Sequence, residues 1–236
     1  MRLTILETGR PPAALSSDWP DYAEMMLTLL APHIEDLSVD AIATLDSAPF
    51  PALRTVEAAI VTGSAHGVYE DTPWMEGLFD FIREAGAQKI PVIGICFGHQ
   101  AVAKAFGAVV QKSDKGWGIG RHEYDVYAAP NWMDPLPSKQ ISLAVSHQDQ
   151  VETLPAGAIA VAGSAFTPFA ALDYPEQRAM SFQGHPEYSA AFANALYGVR
   201  KGTVLQTDLV EAAEQSLTAP TDRHLVGQWM ANHLKS

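Results

Sequence analysis

The segment Pro91-Val92-Ile93-Gly94-Ile95-Cys96-Phe97-Gly98-His99-Gln100 constrains the fold more than any other stretch of the chain. A short apolar run passes through Gly-Ile-Cys-Phe-Gly and straight into residues with helical spacing. Apolar, β-branched runs of this length read as buried strands. A sharp strand-to-helix turn needs small residues two positions before and two after its apex, so that the strand and helix backbones can approach. Gly94 and Gly98 meet that need. Cys96 is left at the apex, where strained backbone angles are expected.

Further apolar runs at Leu3–Leu6, Ala58–Thr62, Ile141–Val145, Ala158–Ala162 and Ala179–Phe182 also read as strands. Helical spacing is found at Asp21–Leu30, Met75–Ala85 and His99–Phe106. Alternation of the two in the first half predicts βαβ units, hence an α/β fold with a doubly wound, mostly parallel sheet. Between Ala108 and Asp173 the helix signal fades and Pro and Gly punctuate a series of strand-like runs, so an antiparallel extension of the sheet is expected there. After Glu187 the pattern is helical again: Ser189–Val199, Leu205–Leu217 and Asp222–Leu234. One domain spanning 1–236 is expected, with a core to about residue 192 and a helical C-terminal extension over 193–236.

Composition narrows the chemistry. The 236 residues are 47% hydrophobic and 18% charged, with a net charge of -12. An acidic surface repels nucleic acid and anionic membrane, so neither is expected as a partner. Neither a signal-peptide core nor an apolar run long enough to span a bilayer is present, and the cytoplasm is the expected compartment. A single cysteine excludes an intramolecular disulfide and a cysteine-based zinc site.

A lone cysteine reads first as a small buried hydrophobe. At the N-terminus of a helix, however, its thiolate is favoured by the helix dipole, and free N–H groups there can hold an oxyanion, with Phe97 N–H the candidate donor. A base is then required. Gly184-His185-Pro186-Glu187 supplies one at the end of another strand. In an extended segment, side chains two apart share a face at roughly 6.5 to 7 Å, so Glu187 can orient the imidazole of His185. Thiolate, imidazole and carboxylate together follow the logic of nucleophilic catalysis. Read alone, His-Pro-Glu is equally a surface turn.

Gly94-Ile95-Cys96-Phe97-Gly98-His99-Gln100 with Gly184-His185-Pro186-Glu187 resembles the class I, or triad, glutamine amidotransferases, whose motifs are G-x-C-x-G-x-Q and a late H-P-E. Val61-Thr62-Gly63-Ser64 is similar to the family's oxyanion loop, and Ser146-His147-Gln148-Asp149 to the S-H-x-D stretch of synthase-type members. The resemblance implies a flavodoxin-like fold and a cysteine-dependent glutaminase. Cys96 would be the nucleophile, His185 the proton relay and Glu187 its orienter. Gly63 and Phe97 would form the oxyanion hole. Gln100, Ser146, His147 and Gln148 would bind the substrate. No cofactor and no metal are implied; the expected partners are glutamine or a γ-glutamyl small molecule and a separate ammonia-accepting synthase chain, since no synthase domain follows in this sequence. The loop Gly63-Ser64-Ala65-His66 departs from the Gly-Pro-Gly of several biosynthetic members. The alternatives are a γ-glutamyl peptidase with the same triad and a non-catalytic binding module on the same scaffold.

Other features carry less. His66, His99, His122 and His147 fit no compact zinc spacing. Gly116-Trp117-Gly118-Ile119-Gly120 lacks the context of a phosphate loop and is expected to be a bend or bulge. Trp74, Trp117 and Trp132 are expected in packing or at the pocket mouth.

Overall fold

The computed structural model of the protein describes residues 1–136 and 139–236. Eleven strands and six helices are formed among them. The strands are β1 (Arg2–Leu6), β2 (Ser38–Ile42), β3 (Ala58–Val61), β4 (Val92–Ile95), β5 (Val110–Lys112), β6 (Gly118–Val126), β7 (Gln140–His147), β8 (Asp149–Val151), β9 (Ile159–Gly163), β10 (Ala171–Tyr174) and β11 (Ala179–Phe182). The helices are α1 (Tyr22–Leu30), α2 (Met75–Ala87), α3 (Phe97–Ala105), α4 (Ala190–Arg200), α5 (Thr207–Ser216) and α6 (Arg223–Lys235).

Nine strands form one sheet in the order β2-β1-β3-β4-β11-β10-β9-β6-β7. The first five are parallel neighbours, and their order is that of the flavodoxin-like doubly wound sheets. From β11 onward every pair is antiparallel. The fold is thus α/β with a parallel core, an antiparallel extension and C-terminal helices, as the alternation of apolar runs predicts.

Period-two alternation sends side chains to two cores. Leu3, Ile5, Ala58, Ile60, Ile93 and Ile95 meet α1 and α6 on one face, while Leu6, Ala59, Val61 and Val92 meet α2 and α3 on the other. A third cluster gathers α4 and α5 against Tyr22, Ile119 and Ala144. Side chains cap two of these helices: Asp21 accepts from Glu24 N–H at the start of α1, and Ser189 from Phe192 N–H at the start of α4. Helix α4 runs through residue 192.

Three strands beyond those expected complete the sheet. β2 is an edge strand of mostly exposed residues, and β10 is a short buried one. The third is β6, where the expected bend or bulge over Gly116–Gly120 gives way to strand: Gly116 and Trp117 precede the strand, and residues from Gly118 onward pair with β7 over eight positions without a break in register. The glycine still has a conformational role. Gly120 sits at φ +90, where its N–H donates to the hydroxyl of Tyr197 (3.0 Å), which in turn donates to Val145 O (2.6 Å). A tyrosine of α4 is thereby inserted into the ladder. Further along β7, Ser142 N–H and Oγ both donate to Asp222 Oδ2 at 2.7 Å, and Asp222 N–H donates to Ser142 O at 2.8 Å. Among the described residues no helix is long and apolar enough to cross a membrane.

Trp229 of α6 is fully buried in the same cluster as β1 and β4. Trp229→Ala is expected to lower stability by about 3–5 kcal/mol, read as a shifted denaturation midpoint in a single transition. A loss near zero would mean that α6 is not part of the cooperative core.

Candidate functional site

The C-terminal ends of β1, β3, β4 and β11 converge on Cys96. Its backbone lies at φ 53, ψ -101, directly before the first residue of α3, a region that L-residues enter only under strain. The turn is held by Cys96 N–H donating to Phe182 O (2.8 Å) and Gly98 N–H donating to Thr62 O (3.2 Å). A Cβ on Gly94 would stand 2.4 Å from Gly98 O, and one on Gly98 would stand 2.1 Å from Val61 O. Only glycine fits either place. Thr8 fixes the neighbouring loop: its N–H donates to Thr62 Oγ1 and its hydroxyl to Thr62 O.

His185 reaches the same place from β11. Its N–H donates to Ala144 O of β7 (2.8 Å), and its Nδ1 lies 2.7 Å from Glu187 Oε1 with both side chains buried. The local backbone corrects the sequence expectation of an extended His-Pro-Glu. Tyr188 N–H donates to His185 O (3.3 Å), so Pro186 is the second residue of a turn, a position its fixed φ suits. The turn, not a pleat, swings Glu187 back to the ring. Tyr188 stacks on His185 with ring centres 3.9 Å apart and planes at 6°. Burial presses the imidazole toward neutrality, but the Glu187 charge and then Cys96 outweigh it and raise the pKa from 6.5 to about 10. Glu187 thus favours the protonated ring.

Gly63, at the end of β3, completes the convergence. A Cβ there would lie 3.1 Å from His185 Cε1 and 3.8 Å from Cys96 Cβ. Among the described residues neither Gly63 N–H nor Phe97 N–H finds an acceptor. Cys96, His185, Glu187, Gly63 and Phe97 are thus brought together, giving a thiol next to a carboxylate-paired imidazole with two unpaired donors close by.

The other candidate residues line the same cavity of about 390 Å³, in differing ways. Ser146 turns its carbonyl to Cys96 Sγ at 4.0 Å and its hydroxyl to Arg200 at 3.0 Å. His147 is buried with Nδ1 3.1 Å from Asp149 O; burial, then His122, pushes its pKa down to about 3, which keeps it neutral. The amide nitrogen of Gln100 donates to Asp149 O (2.9 Å) and Gln183 Oε1 (3.1 Å). Both of its N–H groups are therefore spent inside the protein, so Gln100 shapes the cavity floor rather than offering a free donor. Gln148 is at the wall. A shallower groove of about 420 Å³ along Phe50 and Phe81 contains none of these groups.

Residues 33–196 match the model of the class-I glutamine amidotransferase family. The chain belongs to that family. Among its curated relatives, a putative glutamine amidotransferase-like protein of Schizosaccharomyces pombe is 29% identical, covering 87% of each chain. The glutamine-hydrolysing GMP synthase of Methanosarcina acetivorans has one chain that is 32% identical over 72% of this chain and 85% of its own. Gamma-glutamyl peptidase 4 of Arabidopsis thaliana is 30% identical over 58% of this chain and 56% of its own. A glutamine amidotransferase from Thermotoga maritima shares the fold, with a TM-score of 0.79 at 22% identity over 100% of this chain and 99% of that one.

Several further residues stand around the site. Gln183 donates toward Cys96 Sγ at 3.6 Å, Tyr22 of α1 pairs with the Tyr188 hydroxyl at 3.3 Å, and Arg223 of α6 donates to Pro186 O and Glu187 O at 3.1 and 3.2 Å. Gln183 and Tyr188 flank the His-Pro-Glu motif and could have been found by proximity; Tyr22, Arg200 and Arg223 arrive from distant segments. Elsewhere, His66 pairs with Glu70 and His99 with Ser181 Oγ at 2.8 Å. No group of three or more His, Cys, Asp or Glu among the described residues could hold a metal ion. Trp74 and Trp132 are core residues, whereas Trp117 lines the cavity.

Because the folded-state pKa of His185 is raised, the stability it contributes is complete below its ordinary value of 6.5 and is lost as pH climbs through about 10. Imidazole NMR signals should place its midpoint near 10 and show it falling toward the ordinary range in Glu187→Gln. An unmoved midpoint would remove Glu187 as the cause.

Proposed function

We propose that this amidotransferase is a glutaminase that cleaves the side-chain amide of glutamine through a γ-glutamyl thioester on Cys96. The Cys96 thiolate attacks the amide carbon, forming a C–S bond while the carbonyl π pair moves onto oxygen between Gly63 N–H and Phe97 N–H. The His185 imidazolium gives its proton to the departing nitrogen, the C–N bond breaks and ammonia leaves. A water then loses its proton to His185 and attacks the thioester, releasing glutamate and the thiolate. Glu187 holds the ring in register throughout, and Gln100, Ser146, His147 and Gln148 shape the substrate pocket. The observation that carries this reading is the buried His185–Glu187 pair at 2.7 Å, set beside a cysteine on a strained turn before a helix.

The chemistry needs no cofactor or metal. Residues 1–236 act in this reading as one domain in the cytoplasm, where a single thiol stays reduced. Similarity to one chain of a glutamine-hydrolysing GMP synthase supports a separate synthase chain as the consumer of ammonia. Similarity to a gamma-glutamyl peptidase supports a second reading, in which the leaving group is an amino acid or peptide rather than ammonia. An intact Cys96, His185 and Glu187 set speaks against a purely binding role.

Glutamate and ammonia should be measured together from glutamine, γ-glutamyl dipeptides and glutathione. Equimolar glutamate and ammonia from glutamine, reduced by about 10³-fold or more in Cys96→Ala, is the expected result. Glutamate from the peptides alone would move the assignment to the peptidase, and activity that survives in Cys96→Ala would end the thioester mechanism.

A further inference from the structure

We propose that Arg200 selects γ-glutamyl amides bearing a free α-carboxylate, by binding that carboxylate. The inference rests on the γ-glutamyl amidase reading of the cavity and names the substrate class it accepts. Arg200 is the last residue of α4 and lies beyond residue 196, where the match to the family model ends.

Its position is fixed from both ends. Thr203, Val204 and Leu205 all donate their N–H groups to Arg200 O, at 3.3, 3.1 and 3.0 Å, and Gly202 N–H closes the loop on Leu205 O at 2.8 Å. The guanidinium, half-buried and lining the cavity, donates through Nη1 to Ser146 Oγ at 3.0 Å. That partner is neutral. Among the described residues Arg200 has no ion pair, whereas Arg10, another cation on the cavity wall, is paired with Asp46. A guanidinium carries five N–H donors in a planar fork that matches a carboxylate two by two, and the bond to Ser146 uses one of them.

The reach is right for one carboxylate of the substrate. Ser146 alone separates the two ends: its carbonyl faces Cys96 Sγ at 4.0 Å and its hydroxyl is held by Arg200. In a γ-glutamyl group, three bonds of about 1.5 Å separate the attacked carbon from the α-carbon and a fourth reaches the α-carboxyl carbon, spanning about 5 Å. An acyl carbon on Sγ therefore brings the α-carboxylate alongside Ser146, toward the fork of Arg200. A substrate whose α-carboxyl is amidated, or joined in a peptide bond as in a glutamine within a protein, would leave that cation unanswered in a partly desolvated wall.

The test compares L-glutamine with its α-amide as substrates of the wild-type chain and of Arg200→Met. The wild type should favour glutamine by about 10- to 100-fold in kcat/KM, mostly through KM. Arg200→Met should abolish that preference, bringing glutamine and the α-amide to similar kcat/KM values, and Arg200→Lys should recover part of it. Equal preference in wild type and Arg200→Met overturns the proposal. Binding of L-glutamate and of its α-amide to Cys96→Ser, followed by calorimetry, reads the same contact without turnover. Tighter glutamate binding that Arg200→Met abolishes supports the proposal; equal binding of the two, or none, overturns it. Should the wild type hydrolyse no γ-glutamyl amide, the glutaminase reading fails, and the calorimetric result still decides the role of Arg200.

Discussion

Three backbones meet with no side chain between them where Gly98 presses on the carbonyl of Val61 and Gly94 on the carbonyl of Gly98. That contact lets α3 start immediately after β4, places Cys96 at φ 53 and sets the distance from the thiol to the end of β3. The strain at Cys96 is sustained because the strands around it are fully buried and hydrogen-bonded on both sides. A residue with a Cβ at either glycine would push the strand and helix apart and take the alignment of Gly63, Phe97 and His185 with them.

Polar groups are placed under the same discipline. Burying an ion pair costs desolvation that its attraction does not always recover, and the second carboxylate oxygen of Glu187 has no hydrogen-bond partner among the described residues. The pair endures because its surroundings are held from several directions: Tyr188 covers the ring, and Arg223 ties the carbonyls of Pro186 and Glu187 to α6. The C-terminal helices thus belong to the site as well as to the core, Arg200 on the wall of the cavity and Arg223 behind the acid turn.

Much of this is legible in the chain because it is written locally. The Gly94–Gly98 bracket, the His-Pro-Glu motif and the apolar runs of β1, β3, β4 and β11 are contiguous, and each names its own conformation or its own neighbours. What the sequence hides depends on partners far away along the chain. β6 resembles a bend because two glycines interrupt it, and only the Tyr197 hydroxyl and the facing β7 make a strand of it. β2 is a short edge strand whose apolar residues Val39, Ala41 and Ile42 are interrupted by Asp40, so no continuous apolar run marks it. The turn at His185 reads as extended because same-face reach and turn reach satisfy the same pair of side chains. The partners of Gln100, Asp149 O and Gln183, arrive from other segments and leave no mark beside it in the sequence.

The outer edge of β7 has a further consequence. An edge strand offers unpaired N–H and C=O groups that recruit other chains. Here Asp222 takes both backbone groups of Ser142, and His185 N–H takes Ala144 O. The sticky border of the sheet is therefore closed in part by a residue of the site, and a foreign strand adding there would have to displace Asp222 and His185. Association through this border would cost the Asp222 and His185 contacts, so the arrangement that gathers the site also guards the sheet against aggregation.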